Sequence, residues 1–301
     1  MSSLAIHNLA GTLMRGALTS FTAVLAGCSV DSYFLYHPQP YRAGDEAAIA
    51  ARFPAAEPFV LQRPDGVRLH GWLTGHRPLP GRPRGADAGP TAAATAPAPA
   101  SAGNSTPRRP LTIYFGGNAE ETSWMLSDAH RFAGRLLLCI NYRGYGGSGG
   151  RPHENVLLDD ALAVFDAALK RSDVDPARVS VWGRSLGTGV AVHVASARQV
   201  SGVALVSPYD SMAALAQRHM PAMSVLLTQR YDSAAKAPAI RAPALMLAGA
   251  RDTLIPPLHS EQLRALWGGP AQLVMLPEAD HNSMQEATDY WREIAAFLSA
   301  R

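Results

Sequence analysis

Three short segments carry residue types suited to nucleophilic catalysis. Residues 183–187 read GRSLG, with Ser185 between two glycines. A serine hydroxyl is a weak nucleophile until a base takes its proton, so a histidine is needed nearby, itself oriented by a carboxylate. Residues 250–256 (ARDTLIP) offer Asp252, and residues 278–282 (EADHN) offer His281, in the chain order Ser, Asp, His. Asp280 is a competing carboxylate, but a residue adjacent to the histidine normally points elsewhere, which favours Asp252. His7 lies near the amino terminus and His76 in a Pro/Ala-rich stretch, while His130, His153, His193, His219 and His259 sit in helical patterns or their flanks. Acyl transfer also needs N–H donors aimed at the developing oxyanion. Two backbone groups suit that role: Leu186, directly after the serine, and Asn118 in the glycine-containing run 115–120 (FGGNAE).

These residues must be positioned by regular elements. Short apolar runs at 67–74, 111–115, 136–141, 179–182, 203–206, 244–248 and 272–276 predict strands, most of them buried on both faces. Between them lie helical periodicities. In 154–171, Leu157, Ala161, Val164, Phe165 and Ala168 share one face; in 283–298, Tyr290, Ile294, Phe297 and Leu298 do. Alternating strands and helices predict an α/β fold with a mainly parallel central sheet and reactive groups on loops at the carboxyl ends of the strands. Ser185 then falls between the strand ending at Trp182 and a helix over 186–197, where a sharp turn exposes its Oγ and leaves no room for flanking side chains. Asp252 and His281 each fall just beyond a strand. Cys139 lies inside one strand and reads as an inert core residue.

The chain has 301 residues, 47% hydrophobic and 17% charged, enough to bury a large core. Its net charge of +3 is placed outside the expected fold, because residues 1–27 carry Arg15 alone and residues 76–110 carry five Arg against Asp87. The slightly acidic remainder has no footprint for a phosphate backbone, which excludes nucleic acid as a partner. Two cysteines in unlike settings exclude a disulfide scaffold and a multi-cysteine zinc site. No metalloprotease or P-loop motif is present, and neither metal nor organic cofactor is expected. Residues 76–110 contain eight Pro, nine Ala and four Gly, with Leu79 the one large aliphatic; they read as a disordered loop insertion between strands.

Residues 16–30 (GALTSFTAVLAGCSV) form an uncharged stretch of fifteen residues, short of the roughly twenty needed to span a bilayer. With Arg15 before it and small residues at its end, it has the pattern of an export signal, starting from Met1 or Met14. Leu25-Ala26-Gly27-Cys28 resembles the lipobox of bacterial lipoproteins, which implies cleavage after residue 27 and lipidation of Cys28. By the same resemblance, Ser29 implies sorting to the outer membrane, with the domain 28–301 anchored at the cell envelope.

With these pieces assembled, the chain resembles the α/β-hydrolase superfamily of serine hydrolases, and within it the subfamily of α/β-hydrolase-domain depalmitoylases and esterases. The residues that carry the likeness are 35–38 (LYHP), 115–120, 141–149 (NYRGYGGSG), 183–187, 207–211 (SPYDS), Asp252 with Pro256, and His281-Asn282. Gly116 departs from the family, which usually has His before the Gly-Asn pair, and Asp280 replaces a commoner small residue. The resemblance implies a hydrolase of carboxylic esters or thioesters, with Ser185 as nucleophile, His281 as base, Asp252 as its partner, and a structural role for 142–149. Residues 207–243 take the place of a cap, and this one is short; Met212, Leu215, Met220, Met223, Leu226 and Leu227 are candidates to line an acyl pocket. The same constellation serves a peptidase or amidase, and a non-catalytic envelope lipoprotein using the fold as a binding module is the alternative from another class.

Overall fold

The computed structural model describes residues 35–75, 107–132, 134–219, 221–224 and 227–301. Cys28, the export-signal segment and residues 76–106 of the expected insertion lie outside them. Within the described residues, the chain begins with helix α1 (Asp45–Arg52) and strands β1 (Ala56–Gln62), β2 (Arg68–Gly75) and β3 (Arg109–Phe115). A 3₁₀ segment (Thr122–Phe132) leads to β4 (Leu136–Ile140), followed by α2 (Glu154–Leu169), β5 (Val174–Arg184), α3 (Leu186–Ala197) and β6 (Gly202–Val206). The cap region holds α4 (Met212–His219) and helical turns at Pro221–Ser224 and Ser233–Lys236. The chain then forms β7 (Ala244–Gly249), α5 (Pro257–Leu266), β8 (Ala271–Leu276) and α6 (Thr288–Ser299).

All eight strands join one sheet in the order β1-β2-β4-β3-β5-β6-β7-β8. β1 and β2 run antiparallel, β2 joins β4 antiparallel, and every pairing from β4 to β8 is parallel. This is the α/β architecture read from the sequence. Strands β4, β6 and β7 are buried at every residue, as continuous apolar runs in a sheet covered on both faces must be. One face packs Leu111, Ile113, Val181, Leu205 and Met246 under α2, α3 and α5; the other packs Trp72, Tyr114, Trp182 and Leu247 under the 3₁₀ segment and α6. The apolar stripes of α2 and α6 predicted from periodicity are buried. Cys139 is fully buried, and burial pushes its thiol pKa well up, which makes it unreactive.

Several boundaries differ from the sequence reading. β1 and α1 were not anticipated. β1 is an edge strand carrying Pro58 with one buried residue, Phe59, so it lacks both alternation and a continuous apolar run. β3 starts at Arg109, because its N–H donates to the Asp173 carbonyl (2.9 Å) and its guanidinium pairs with the Asp173 carboxylate (3.5 Å); the insertion therefore ends before Arg109 and not at Pro110. The last helix starts at Thr288 and not at Ser283, since Ser283 is held in the Asp280 turn and Met284–Glu286 form one 3₁₀ turn.

Candidate active site

Ser185 stands between β5 and α3 with φ 51° and ψ −119°, a conformation that non-glycine residues adopt only when their surroundings enforce it. The surroundings here are backbone. The Ser185 N–H donates to the Val206 carbonyl of β6 (2.8 Å), and its own carbonyl accepts the Thr188 hydroxyl (2.7 Å). A Cβ at Gly183 would lie 2.3 Å from the Gly187 carbonyl oxygen, and one at Gly187 would lie 2.1 Å from that of Phe115. Both glycines of GRSLG are thus required by close backbone approach, as the motif implied.

His281 sits in the loop after β8, and its Nε2 lies 3.0 Å from Ser185 Oγ. Its Nδ1 lies 2.8 Å from Asp252 Oδ2 in the loop after β7. Asp252 is 3% exposed, and its lone pairs are spoken for: Oδ1 accepts the N–H groups of Leu254 (3.0 Å) and Ile255 (2.7 Å), while Oδ2 also accepts the Ser207 hydroxyl (2.9 Å). These donors fix the plane of the carboxylate. Asp280 faces its own turn, accepting from the Asn282 and Ser283 N–H groups; those bonds hold its pKa below the usual carboxylate range. The structure thus brings Ser185, His281 and Asp252 together and leaves Asp280 out.

Ser207 is a site residue that sequence reading missed. It was visible in the SPYDS run, but nothing in that run shows that a φ of 49° turns its hydroxyl onto Asp252.

The segment after β3 carries the second set of candidate donors. Asn118 does not offer its side chain to the site, because Oδ1 accepts the His37 N–H (3.0 Å) and its carbonyl accepts the Tyr145 hydroxyl. The Asn118 and Leu186 N–H groups make no hydrogen bond to the described residues, so both remain available as donors. The Gly117 N–H is taken, by Glu120 Oε2 at 2.6 Å. The LYHP and NYRGYGGSG segments therefore act as supports: His37 and Tyr145 hold Asn118, Tyr142 OH donates to the Gly116 carbonyl (2.9 Å), and Tyr36 OH pairs with Tyr231 OH (2.7 Å) at the cap exit.

Of the pocket candidates, Leu215 is buried in the main core and the partly buried Met212 packs against it. Met220 and Leu226 lie outside the described residues. Leu254 and Leu258, at 54% and 52% exposure, instead present apolar surface beside the Asp252 loop, which the cap grips where His219 Nε2 meets the Leu254 carbonyl (2.9 Å). Among the described residues no group of acidic, cysteine and histidine side chains is arranged to hold a metal ion.

A serine on a strained strand-to-helix turn, with histidine and aspartate at the ends of later strands of a mainly parallel sheet, defines an α/β-hydrolase fold with a serine-hydrolase arrangement at its carboxyl edge. A family model described as serine hydrolase matches residues 158–300. The chain is 32% identical to the uncharacterised protein Rv2307c of Mycobacterium tuberculosis, over 88% of this chain and 85% of that one. It is 25% identical to the α/β-hydrolase domain-containing protein WAV2 of Arabidopsis thaliana, over 69% of this chain and 66% of that one. The esterase PF2001 of Pyrococcus furiosus shares the fold at TM-score 0.59 with 16% identity, covering 88% of this chain and 97% of that one. The chain belongs to the α/β-hydrolase superfamily of serine hydrolases.

Proposed function

We propose that the protein hydrolyses carboxylic esters or thioesters through an acyl-Ser185 intermediate. The observation that carries this reading is the continuous relay from Ser185 Oγ to His281 Nε2 (3.0 Å) and from His281 Nδ1 to Asp252 (2.8 Å). Ser185 Oγ attacks the acyl carbonyl as its proton passes to His281 Nε2, while Asp252 holds Nδ1–H in place and stabilises the imidazolium. The Leu186 and Asn118 N–H groups bind the oxyanion. His281 then returns the proton to the leaving alcohol or thiol, and a water deprotonated by His281 releases the acid and frees Ser185. The exposed Leu254 and Leu258 favour an acyl substrate with apolar character, in line with the likeness to depalmitoylases and esterases.

Labelling with a fluorophosphonate probe, with p-nitrophenyl ester hydrolysis in parallel, tests the reading. Wild type labels and turns over, and Ser185→Ala does neither; a folded wild type that does neither sinks it. Lipidation of Cys28 and attachment to the bacterial outer membrane belong to the same proposal, on the Leu25–Cys28 motif. Expression in a bacterium with a radiolabelled fatty acid checks this: label on wild type and none on Cys28→Ser is expected, and an unlabelled wild type removes the anchor.

A further inference from the structure

We propose that Glu120 and Arg184 form a clamp that aims the Asn118 N–H at the oxyanion, which makes them positioning residues for the acyl-transfer step; this rests on the hydrolase reading above. Arg184 directly precedes the nucleophile in the GRSLG turn, yet it does not point into solvent. Its side chain is 16% exposed, Nη1 lies 3.2 Å from Glu120 Oε2, and Nη2 donates to the His281 carbonyl at 3.3 Å. One guanidinium therefore touches both the oxyanion segment and the base loop, from the residue next to the nucleophile. Burial works against its charge, but the facing Glu120 carboxylate, with Tyr114 and Tyr290, raises its pKa on balance.

Glu120 completes the clamp. Oε2 accepts the Gly117 N–H (2.6 Å), and Oε1 accepts Tyr114 OH (2.5 Å) and Trp124 Nε1 (2.7 Å), so the carboxylate is anchored in the core beneath the turn. Taking the Gly117 N–H inward leaves the next peptide, with the Asn118 N–H, free of any described acceptor. Gly117 is wedged between clamp and nucleophile: a Cβ there would meet Arg184 Nη1 at 3.1 Å, Glu120 Oε2 at 3.2 Å and Ser185 Cβ at 3.6 Å. Gly116 makes the room. A Cβ at that position would already press on Thr122 Cγ2 (3.0 Å) and on the Glu120 carboxyl carbon (3.2 Å). The residue that departs from the family pattern is thus the one whose missing side chain lets Glu120 fold back onto the turn. The pairing also matters electrostatically. An unneutralised carboxylate this close to Ser185 would oppose the oxyanion, whereas the paired one adds little net charge.

Glu120→Ala and Arg184→Ala are each expected to lower kcat for a p-nitrophenyl ester about 10- to 100-fold, a fraction of the loss from deleting a donor outright, with KM within about twofold. Because the two act as a unit, the double variant loses no more than the worse single one. Glu120→Gln keeps an acceptor for the Gly117 N–H and recovers most of the activity of Glu120→Ala; if the alanine variants do not fold, Glu120→Gln and Arg184→Lys carry the comparison with their melting curves. The diagnostic readout is the rate ratio between an ester and its thionoester, since sulfur is a poorer acceptor for an oxyanion donor. The clamp variants reduce that ratio several-fold, which a merely structural role does not do. Variants with unchanged kcat, additive losses or an unaltered ratio overturn the clamp, provided wild type labels with the fluorophosphonate. A wild type that neither labels nor hydrolyses overturns both the clamp and the hydrolase reading.

Discussion

Asp252 Oδ2 accepts two hydrogen bonds, one from His281 and one from Ser207, and the second sets the orientation of the first. The Ser207 N–H donates to the Leu247 carbonyl (2.8 Å), so β7 holds the strained residue whose hydroxyl serves the acid on the loop that follows. Of the three non-glycine residues with positive φ among the described residues, Ser185 and Ser207 belong to the site, which is where strain of about 1–3 kcal/mol per residue is tolerated when it positions a group. Ser207→Ala leaves a buried carboxylate short of one donor, a loss of about 1.5–3 kcal/mol for a hydrogen bond to a charged group. Part of that loss reaches the transition state, so kcat for p-nitrophenyl acetate is expected to fall about 10-fold with KM nearly unchanged. Steady-state kinetics checks this, and Ser207→Thr, which keeps the hydroxyl, restores most of the rate. The triad itself was legible because each member follows an apolar run; Ser207 was not, because a hydroxyl's role depends on a backbone angle that no residue type announces.

The nucleophile turn works because α3 starts hard against β3. The missing Cβ of Gly187 lets the first turn of α3 approach the Phe115 and Gly116 carbonyls, bringing the Ser185–Leu186 peptide beside the Asn118 segment. Gly187→Ala forces a methyl to within 2.1 Å of the Phe115 oxygen and 2.6 Å of the Gly116 oxygen, backbone atoms that cannot swing aside as a side chain would. The expected cost is about 2–4 kcal/mol of stability, together with slower fluorophosphonate labelling as Leu186 and Asn118 move apart. A urea melt and a labelling time course measure the two effects on one sample. Strand and helix identity here followed from period and burial; edges did not. β1 reads poorly because an edge strand with Pro58 meets few packing demands, and the start of α6 was misplaced because Asp280 caps the turn before it through side-chain bonds to Asn282 and Ser283.

In the molecule as a whole, the strand ends that flank residues 76–106 lie at the opposite end of the sheet from Ser185. Gly75, which ends β2, and Leu111 in β3 flank the same residue, Leu136 of β4, at the strands' other end from Ser185. With strands about 4.8 Å apart, the anchors are about 10 Å from one another, a span that eight residues cover easily. Replacing residues 76–106 with an eight-residue Gly/Ser linker is expected to leave ester hydrolysis unchanged and to raise stability by about 1.2 kcal/mol from reduced loop-closure entropy. That corresponds to a melting temperature higher by about 2–5 °C, readable by calorimetry. A large loss of stability or activity would show that the segment is part of the working fold.

What the sequence by itself determined was the fold class and which serine, histidine and aspartate could meet at the carboxyl ends of the strands. Apolar runs buried on both faces leave few alternatives to a covered parallel sheet, and a serine between glycines at a strand end has few other uses. Only the tertiary structure decided which groups serve the triad. The Asn118 side chain turned out to be bound to His37, Met212 and Leu215 joined the core, and Glu120, Arg184 and Ser207 emerged as supports. Each of these roles depends on distances between residues tens of positions apart, set by strand order and loop path, and local residue patterns do not encode them.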